Sequence, residues 1–198
     1  MKKNFAIAAL VAGAFQLAAA DTGAPAPAFT NVKDTNGKTH NLADYKGKTV
    51  VLEWVNYDCP FVKKHYSSNN MQDLQRKYTA KGVVWLSVNS SAPGKEGNYS
   101  IAEWKQKSAE RKVAANAILL DPSGKTGKTY GAKTTPHMYI IDGAGVLQYQ
   151  GAIDSTRSTD VADIKTSQNY VATALDELAA GKPVSTKETK AYGCSVKY

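Results

Sequence analysis

Cysteine is scarce in this chain of 198 residues, which contains only Cys59 and Cys194. Two cysteines allow one structural disulfide, one catalytic pair, or one reactive thiol beside an unrelated cysteine. Internal repeats and low-complexity tracts are also absent, and after residue 20 no apolar segment is long enough to cross a membrane. Lysines scattered over predicted loops and helix faces contribute to the net charge of +8 and form no single basic block. We therefore expect neither a nucleic-acid site nor stable membrane insertion.

The first twenty residues have the pattern of a secretory signal peptide. Lys2 and Lys3 precede an apolar stretch at 5–17, and small residues end at Ala20 before Asp21. We expect cleavage after Ala20 and export across the inner membrane into the periplasm. The alternative is an uncleaved membrane anchor. Export would place both cysteines in an oxidising compartment, where disulfides form and persist.

Without those twenty residues, 178 of the 198 residues remain, enough for one domain with a full hydrophobic core. We expect a linker at 21–28, the folded domain at 29–181, and a polar C-terminal tail at 182–198 that carries Cys194. The chain order predicts a hairpin, strand, helix, strand, helix, strand, hairpin and helix, with long helices over 61–78 and 159–180. This order is typical of an α/β fold with a central mixed β-sheet flanked by helices.

Cys59 lies where a predicted strand at 49–55 gives way to a helix. The amino end of a helix and nearby cations stabilise a thiolate, and Lys63, Lys64 and His65 follow in the sequence, while Asp58 opposes this effect. The position therefore favours a nucleophilic thiol. The alternatives are a buried structural cysteine and one half of an inert disulfide.

Three segments of the chain, by their order and spacing, resemble the thioredoxin-like superfamily. Within it they are most similar to the redoxin or peroxiredoxin-like group (alkyl hydroperoxide reductase / thiol-specific antioxidant family). They are the entry segment at 26–38, the lead-in at 42–52, and Thr135-Pro136 followed by the hairpin that begins near Tyr139. The resemblance covers about residues 25 to 180. It implies a thioredoxin-like fold with an N-terminal hairpin, and antioxidant or thiol oxidoreductase activity.

The chain departs from the group's patterns at four positions. Val62 stands where thioredoxins have the second cysteine of Cys-x-x-Cys, which excludes a vicinal dithiol. Leu52 and Asn56 replace the proline and the threonine or serine of the peroxiredoxin motif, and Pro136 takes the position of its arginine. The chain is therefore most similar to the peroxiredoxin-like branch that lacks the second thioredoxin cysteine.

The resemblance also implies roles for residues around Cys59. Glu53 matches a buried carboxylate that shuttles protons as a general acid and base, although it could instead occupy a polar pocket or pair with a lysine. Pro136 is expected to follow a cis peptide bond opposite Cys59, leaving the Thr135 backbone free to pair with a substrate strand. Pro60, directly after the cysteine, completes the expected substrate-binding set.

Cys194 is the one possible partner for Cys59 within the chain. The tail could fold back so that Cys194 resolves a bond formed at Cys59, as in two-cysteine redoxins. A static disulfide that pins the tail and an intermolecular bond are the alternatives.

Together these features predict an exported redoxin in which Cys59 attacks a peroxide or a disulfide, and Cys194 or an external thiol resolves the product. No cofactor or metal is expected, and the expected partners are the oxidised substrate and an external thiol reductant. One alternative is a non-catalytic peptide-binding or chaperone-like module of the same fold. Another is an envelope copper-handling protein that uses Cys59 with His65 or His137, although the spacing matches no strong metal motif and His65 is expected on a helix surface.

Overall fold

The computed structural model describes residues 20–198, so the predicted signal peptide lies outside the described residues apart from Ala20. A seven-stranded sheet has the order β2-β1-β5-β4-β3-β7-β8, and a separate two-stranded sheet pairs β6 with β9. The strands are β1 Val32–Asp34, β2 Thr39–His40, β3 Val50–Trp54, β4 Val84–Asn89, β5 Ala117–Leu120, β6 Thr134–Thr135, β7 His137–Ile141, β8 Leu147–Gly151 and β9 Cys194–Ser195.

Within residues 20–198, five α-helices accompany the strands: α1 Pro60–Ser67, α2 Asn70–Thr79, α3 Ile101–Glu110, α4 Lys125–Tyr130 and α5 Tyr170–Ala179. Two short 3₁₀ helices occupy Leu42–Tyr45 and Val161–Lys165. Across residues 20–198, no helix combines the length and the apolar character that a membrane crossing requires.

Strand β3 lies in the middle of the sheet, parallel to β4 and antiparallel to β7. Every residue of β3 is buried, and because successive side chains point to opposite faces, Val51 enters one hydrophobic core and Leu52 the other. Helices α1, α2, α3 and α5 contribute to the first core, and α4 contributes to the second. The predicted α/β class, with a mixed sheet flanked by helices, is confirmed.

The single helix predicted over 61–78 is two helices. Asn69 separates α1 from α2 with φ of 63°, a left-handed conformation that asparagine tolerates better than most residues. Ser68 just before it donates its hydroxyl to the Lys64 carbonyl at 2.8 Å, which competes with continuation of the helix. The prediction of one helix was wrong because these local hydrogen bonds outweigh the apolar periodicity.

The long helix predicted over 159–180 is also shorter than expected. Only α5 is α-helical, and it begins where the Asn169 side chain accepts a hydrogen bond from Ala172 N at 2.9 Å. An asparagine cap of this kind fixes the start of a helix. The residues before it form the 3₁₀ helix Val161–Lys165, followed by a turn at Thr166 and a bend at Ser167.

Residues 21–28, expected to be a linker, are bound to the outer edge of the sheet. Gly23 N donates to Leu147 O at 2.7 Å, and Leu147 N donates to Ala24 O at 3.0 Å. The other end of the same β8 edge pairs with the tail, because Gln150 N donates to Lys187 O at 3.0 Å and Thr189 N donates to Gln150 O at 3.1 Å. These two segments cover an edge that would otherwise present unpaired backbone groups.

Candidate active site

Cys59 is the residue that precedes the first turn of α1, directly after the loop that leaves β3. Its carbonyl accepts from Lys63 N at 2.9 Å, and Pro60 begins the helix, a position where the missing N–H of proline costs nothing. The side chain is fully buried, and its sulfur donates to the Thr135 carbonyl at 3.0 Å. The structure therefore brings together the cysteine at the helix start and the loop that contains Pro136.

The Thr135–Pro136 peptide bond is cis. The Thr135 backbone was expected to be free for a substrate strand, and this expectation was wrong. In the small sheet, β6 pairs antiparallel with β9, which places Cys194 opposite Thr135 and Ser195 opposite Thr134. The protein's own tail therefore lies where a substrate strand was expected.

Cys194 is thereby held beside Cys59, although both thiols are free. Cys194 is partly exposed, whereas Cys59 is inaccessible to solvent. Burial, followed by the hydrogen bond and charge of the neighbouring Cys59, raises the pKa of the Cys194 thiol. Cys194 is consequently a protonated thiol at neutral pH in the reduced protein.

The tail is anchored on both sides of Cys194. Before it, the buried Tyr192 packs edge-on against Phe61 with ring centroids 5.7 Å apart, and its hydroxyl donates to the Asp154 carboxylate. After it, Val196 N donates to the Lys133 carbonyl at 3.0 Å. The described tail is thus an ordered part of the domain surface.

Glu53 is fully buried at the centre of a polar cluster. Its carboxylate accepts hydrogen bonds from Tyr66 Oη at 2.8 Å, Gln75 Nε2 at 3.1 Å, Trp85 Nε1 at 2.8 Å and Ser87 Oγ at 3.1 Å. Burial raises the pKa of Glu53, and the four donors oppose that rise. None of these partners is a cysteine, so the geometry supports the polar-pocket interpretation, in which Glu53 ties α1, α2 and β4 to β3. Its role in proton transfer stays a prediction.

Lys64 and His65 were expected to act on Cys59, but both contact Asp154. The Lys64 Nζ lies 3.6 Å and the His65 Nε2 lies 3.9 Å from Asp154 Oδ2. His65 is fully buried, so its placement on a helix surface was wrong. His65 is buried because the segment after β8 covers this side of α1. Asp154 and Thr156 pack there, and Thr156 O accepts from Lys64 Nζ at 3.3 Å. Lys63 alone of the three is exposed.

His137 lies apart from Lys64, His65 and Asp154. Its Nδ1 is 3.2 Å from the Tyr139 hydroxyl and accepts from Lys133 N at 3.3 Å. In residues 20–198 no group of three or more histidine, cysteine, aspartate or glutamate side chains could hold a metal ion. His65 and His137 thus have separate sets of partners.

Acid should destabilise the fold through these two histidines. Burial lowers the pKa of both His65 and His137 to about 4, below the ordinary 6.5. Folding therefore favours the neutral rings, and this stabilisation is present above pH 6.5 and is lost as the pH falls towards 4. The loss is on the order of 2–3 kcal/mol for each ring.

Urea unfolding at pH 7 and pH 4.5 checks this prediction. The free energy of unfolding of the wild-type protein should fall between the two pH values, and His65→Gln and His137→Gln should each fall less. Equal falls in the wild type and both variants would show that the histidines are not the source.

A thioredoxin-like sheet that presents a cysteine at a helix start to a cis-proline loop defines a redoxin. The sequence profile of the AhpC/TSA family matches residues 22–150, and the chain belongs to this family. The family resemblance drawn from the sequence is thereby confirmed.

Individual proteins are similar to this chain in sequence or in fold. The thiol-disulfide oxidoreductase ResA of Geobacillus thermodenitrificans is 29% identical over 126 residues, which cover 64% of this chain and 66% of that protein, just under two thirds of its length. The crystal structure of an uncharacterized conserved protein from Geobacillus kaustophilus has a TM-score of 0.76 at 28% identity and covers 90% of this chain and 92% of that chain. A hypothetical protein from Sinorhizobium meliloti 1021 shares the fold, with a TM-score of 0.74 at 22% identity over 91% of this chain and 96% of that chain.

Proposed function

We propose that the protein is an exported thiol–disulfide oxidoreductase in which Cys59 is the nucleophile and Cys194 the resolving thiol. The observation that carries this proposal is the β6–β9 pairing, which sets Cys194 opposite Thr135 while the Thr135 carbonyl accepts from Cys59. The activity that names ResA supports the same reaction type. Cleavage after Ala20, release into the periplasm, and a domain at 29–181 followed by the tail at 182–198 are parts of the proposal.

The reaction proceeds in two exchanges. The Cys59 thiolate attacks one sulfur of a substrate disulfide, forms a mixed disulfide, and expels the other sulfur as a thiolate that takes up a proton. Cys194 then loses its proton and attacks the Cys59 sulfur, which expels the remaining substrate thiol and leaves a Cys59–Cys194 disulfide. Two electrons pass to the substrate, and two external thiols, oxidised to their own disulfide, restore the protein.

The burial of Cys59 sets the order of events. Its sulfur has no contact with solvent while β9 is paired, so a disulfide substrate reaches it only after the tail lifts. In the proposal, Pro60 at the exposed start of α1 and Thr135 with Pro136 across the groove then contact the substrate. Glu53, a residue of β3, is proposed as the proton-transfer group.

Peroxide is the second candidate substrate, and the AhpC/TSA match favours it. The Cys59 thiolate would attack the O–O bond, releasing an alcohol or water and forming a sulfenic acid, and Cys194 would condense with it to give the same disulfide and water. Leu52 and Asn56 lack the peroxiredoxin groups, so disulfide exchange is the preferred reaction.

One equivalent of an aromatic disulfide, 5,5′-dithiobis(2-nitrobenzoate), tests the proposal on the reduced protein. We expect both nitrobenzoate groups to be released as thiolates and the protein mass to fall by two hydrogen atoms with no adduct. A parallel reaction with hydrogen peroxide should give the same final mass if peroxide is also a substrate. Release of one thiolate with a permanent adduct would refute resolution by Cys194. No reaction with either oxidant would refute the proposed oxidoreductase activity.

A further inference from the structure

The tail occupies the groove beside Pro136 as an extended strand. The strand proper is β9, Cys194–Ser195, with a bend at Gly193 before it. Tyr192, Cys194 and Val196 pack against the protein, while Ser195 is exposed. Backbone pairing with β6 holds its middle. Addition of a strand to an exposed edge is a general mode of peptide recognition, in which pockets for alternate side chains give specificity.

The first such pocket takes a tyrosine. Tyr192 is only 7% exposed, its ring packs edge-on against Phe61, and its hydroxyl donates to Asp154 Oδ1. Asp154 is itself buried, with Lys64 Nζ 3.6 Å from its other carboxylate oxygen. Asp154 Oδ1 also accepts from Thr156 N at 3.1 Å, so an occupant without the hydroxyl removes one of two hydrogen bonds to this buried oxygen. That loss favours tyrosine over apolar side chains that lack a donor.

The second position admits only glycine. Gly193 has φ of 137°, a backbone conformation that other residues rarely adopt. A Cβ atom there would lie 2.1 Å from the Thr135 carbonyl oxygen and 3.3 Å from Pro136 N. Both contacts are with backbone atoms, so no side chain can move aside to make room.

We propose that the tail is an internal copy of the segment on which this protein acts: an extended strand of a partner protein with the sequence Tyr-Gly-Cys, whose cysteine is half of a disulfide. This inference rests on the proposed function. The partner strand replaces β9 beside Thr135, and Cys59 attacks the presented sulfur while the other half of the partner's disulfide leaves as a thiol. The tail then returns, and the deprotonated Cys194 attacks the Cys59 sulfur, which forms the Cys59–Cys194 disulfide and releases the partner's cysteine as a second thiol.

Competition with the tail enforces this selectivity. A tethered segment acts at an effective concentration on the order of millimolar, so a free segment that makes fewer contacts rarely displaces it. A test of the groove therefore needs variants in which the tail is released. Tyr192→Ala removes the tyrosine anchor, and Gly193→Ala introduces the clash with Thr135, so the two variants release the tail by independent means.

The experiment uses the full chain with Cys194→Ser, so that only Cys59 reacts, alone and combined with Tyr192→Ala or Gly193→Ala. The probes are three synthetic peptides whose cysteine carries a nitrobenzoate disulfide: Ala-Tyr-Gly-Cys-Ser-Val-Lys-Tyr, the same peptide with alanine for glycine, and the same peptide with alanine for the first tyrosine. Release of nitrobenzoate thiolate gives the rate. The free aromatic disulfide, which makes none of the peptide contacts, is the reference, and thermal unfolding verifies that each variant is folded.

Both released-tail variants should react with the Tyr-Gly-Cys peptide at least about tenfold faster than with either altered peptide. The rate advantage of the Tyr-Gly-Cys peptide over the altered peptides should be smaller in the Cys194→Ser protein with an otherwise intact tail, because that tail fills the groove. Equal rates for the three peptides, in a variant that reacts normally with the free aromatic disulfide, would overturn the inference and leave the proposed function standing. Failure to react with the aromatic disulfide itself would overturn both.

Discussion

Cys194→Ser should leave a protein that reacts once and then stops as a mixed disulfide on Cys59. The substituted tail can still pair with β6, but the serine hydroxyl cannot displace a thiol from the Cys59 sulfur. Turnover with a disulfide substrate and a thiol reductant should then depend on the slower direct attack of the reductant at the buried Cys59.

Cys59→Ser should have the larger effect, a loss of turnover of about 10³-fold or more, as expected when a nucleophile is removed. Intact mass after one equivalent of substrate distinguishes the variants: an adduct persists on Cys194→Ser and none forms at position 59 of Cys59→Ser. Turnover by Cys59→Ser close to that of the wild type would show that the reaction does not begin at Cys59.

Gly193→Ala should release the tail without unfolding the domain. The substitution combines an unfavourable φ with a Cβ atom 2.1 Å from the Thr135 oxygen, and we expect the tail to move away from β6 while the domain stays folded. A cost of about 2–3 kcal/mol, which is typical of one strained residue, lowers the equilibrium constant between the seated and the released tail about 30- to 150-fold. The rate of Cys59–Cys194 disulfide formation should fall to the same extent.

Gly181→Ala is the matched control for that variant. Gly181 also has a positive φ, 66°, but a Cβ atom there would meet nothing within 4 Å. The control should therefore retain nearly the wild-type rate of disulfide formation. If the two variants behave alike, the close approach of Gly193 to Thr135 does not hold the tail.

The sheet and the position of Cys59 could be predicted because their causes are local. The apolar β-branched runs that become β3 and β4, and the turn residues between elements, indicate strands without knowledge of their neighbours. Glu53 was also correctly expected to be buried, because both faces of its strand are apolar. The break at Asn69 was missed since side-chain hydrogen bonds there outweigh the periodic pattern.

The tail could not be placed from sequence because its structure depends on distant residues. Its polar composition left open whether it folds back onto the domain, and the structure shows Val184 and Tyr192 buried against it. The burial of His65 was missed for the same reason, since Asp154 covers it from a different part of the chain. The adjacent Tyr192, Gly193 and Cys194 were the available signal, and a glycine beside a tail cysteine is in itself ambiguous.

The most direct test of the account is the identity of the disulfide in the oxidised protein. Proteolysis after oxidation, followed by mass spectrometry of the peptides, should recover the segment around Cys59 joined to the last residues of the same chain through Cys194, and a thiol reductant should separate them. A Cys194 that remains free, or that joins two chains while Cys59 remains a thiol, would contradict the resolving role of the tail.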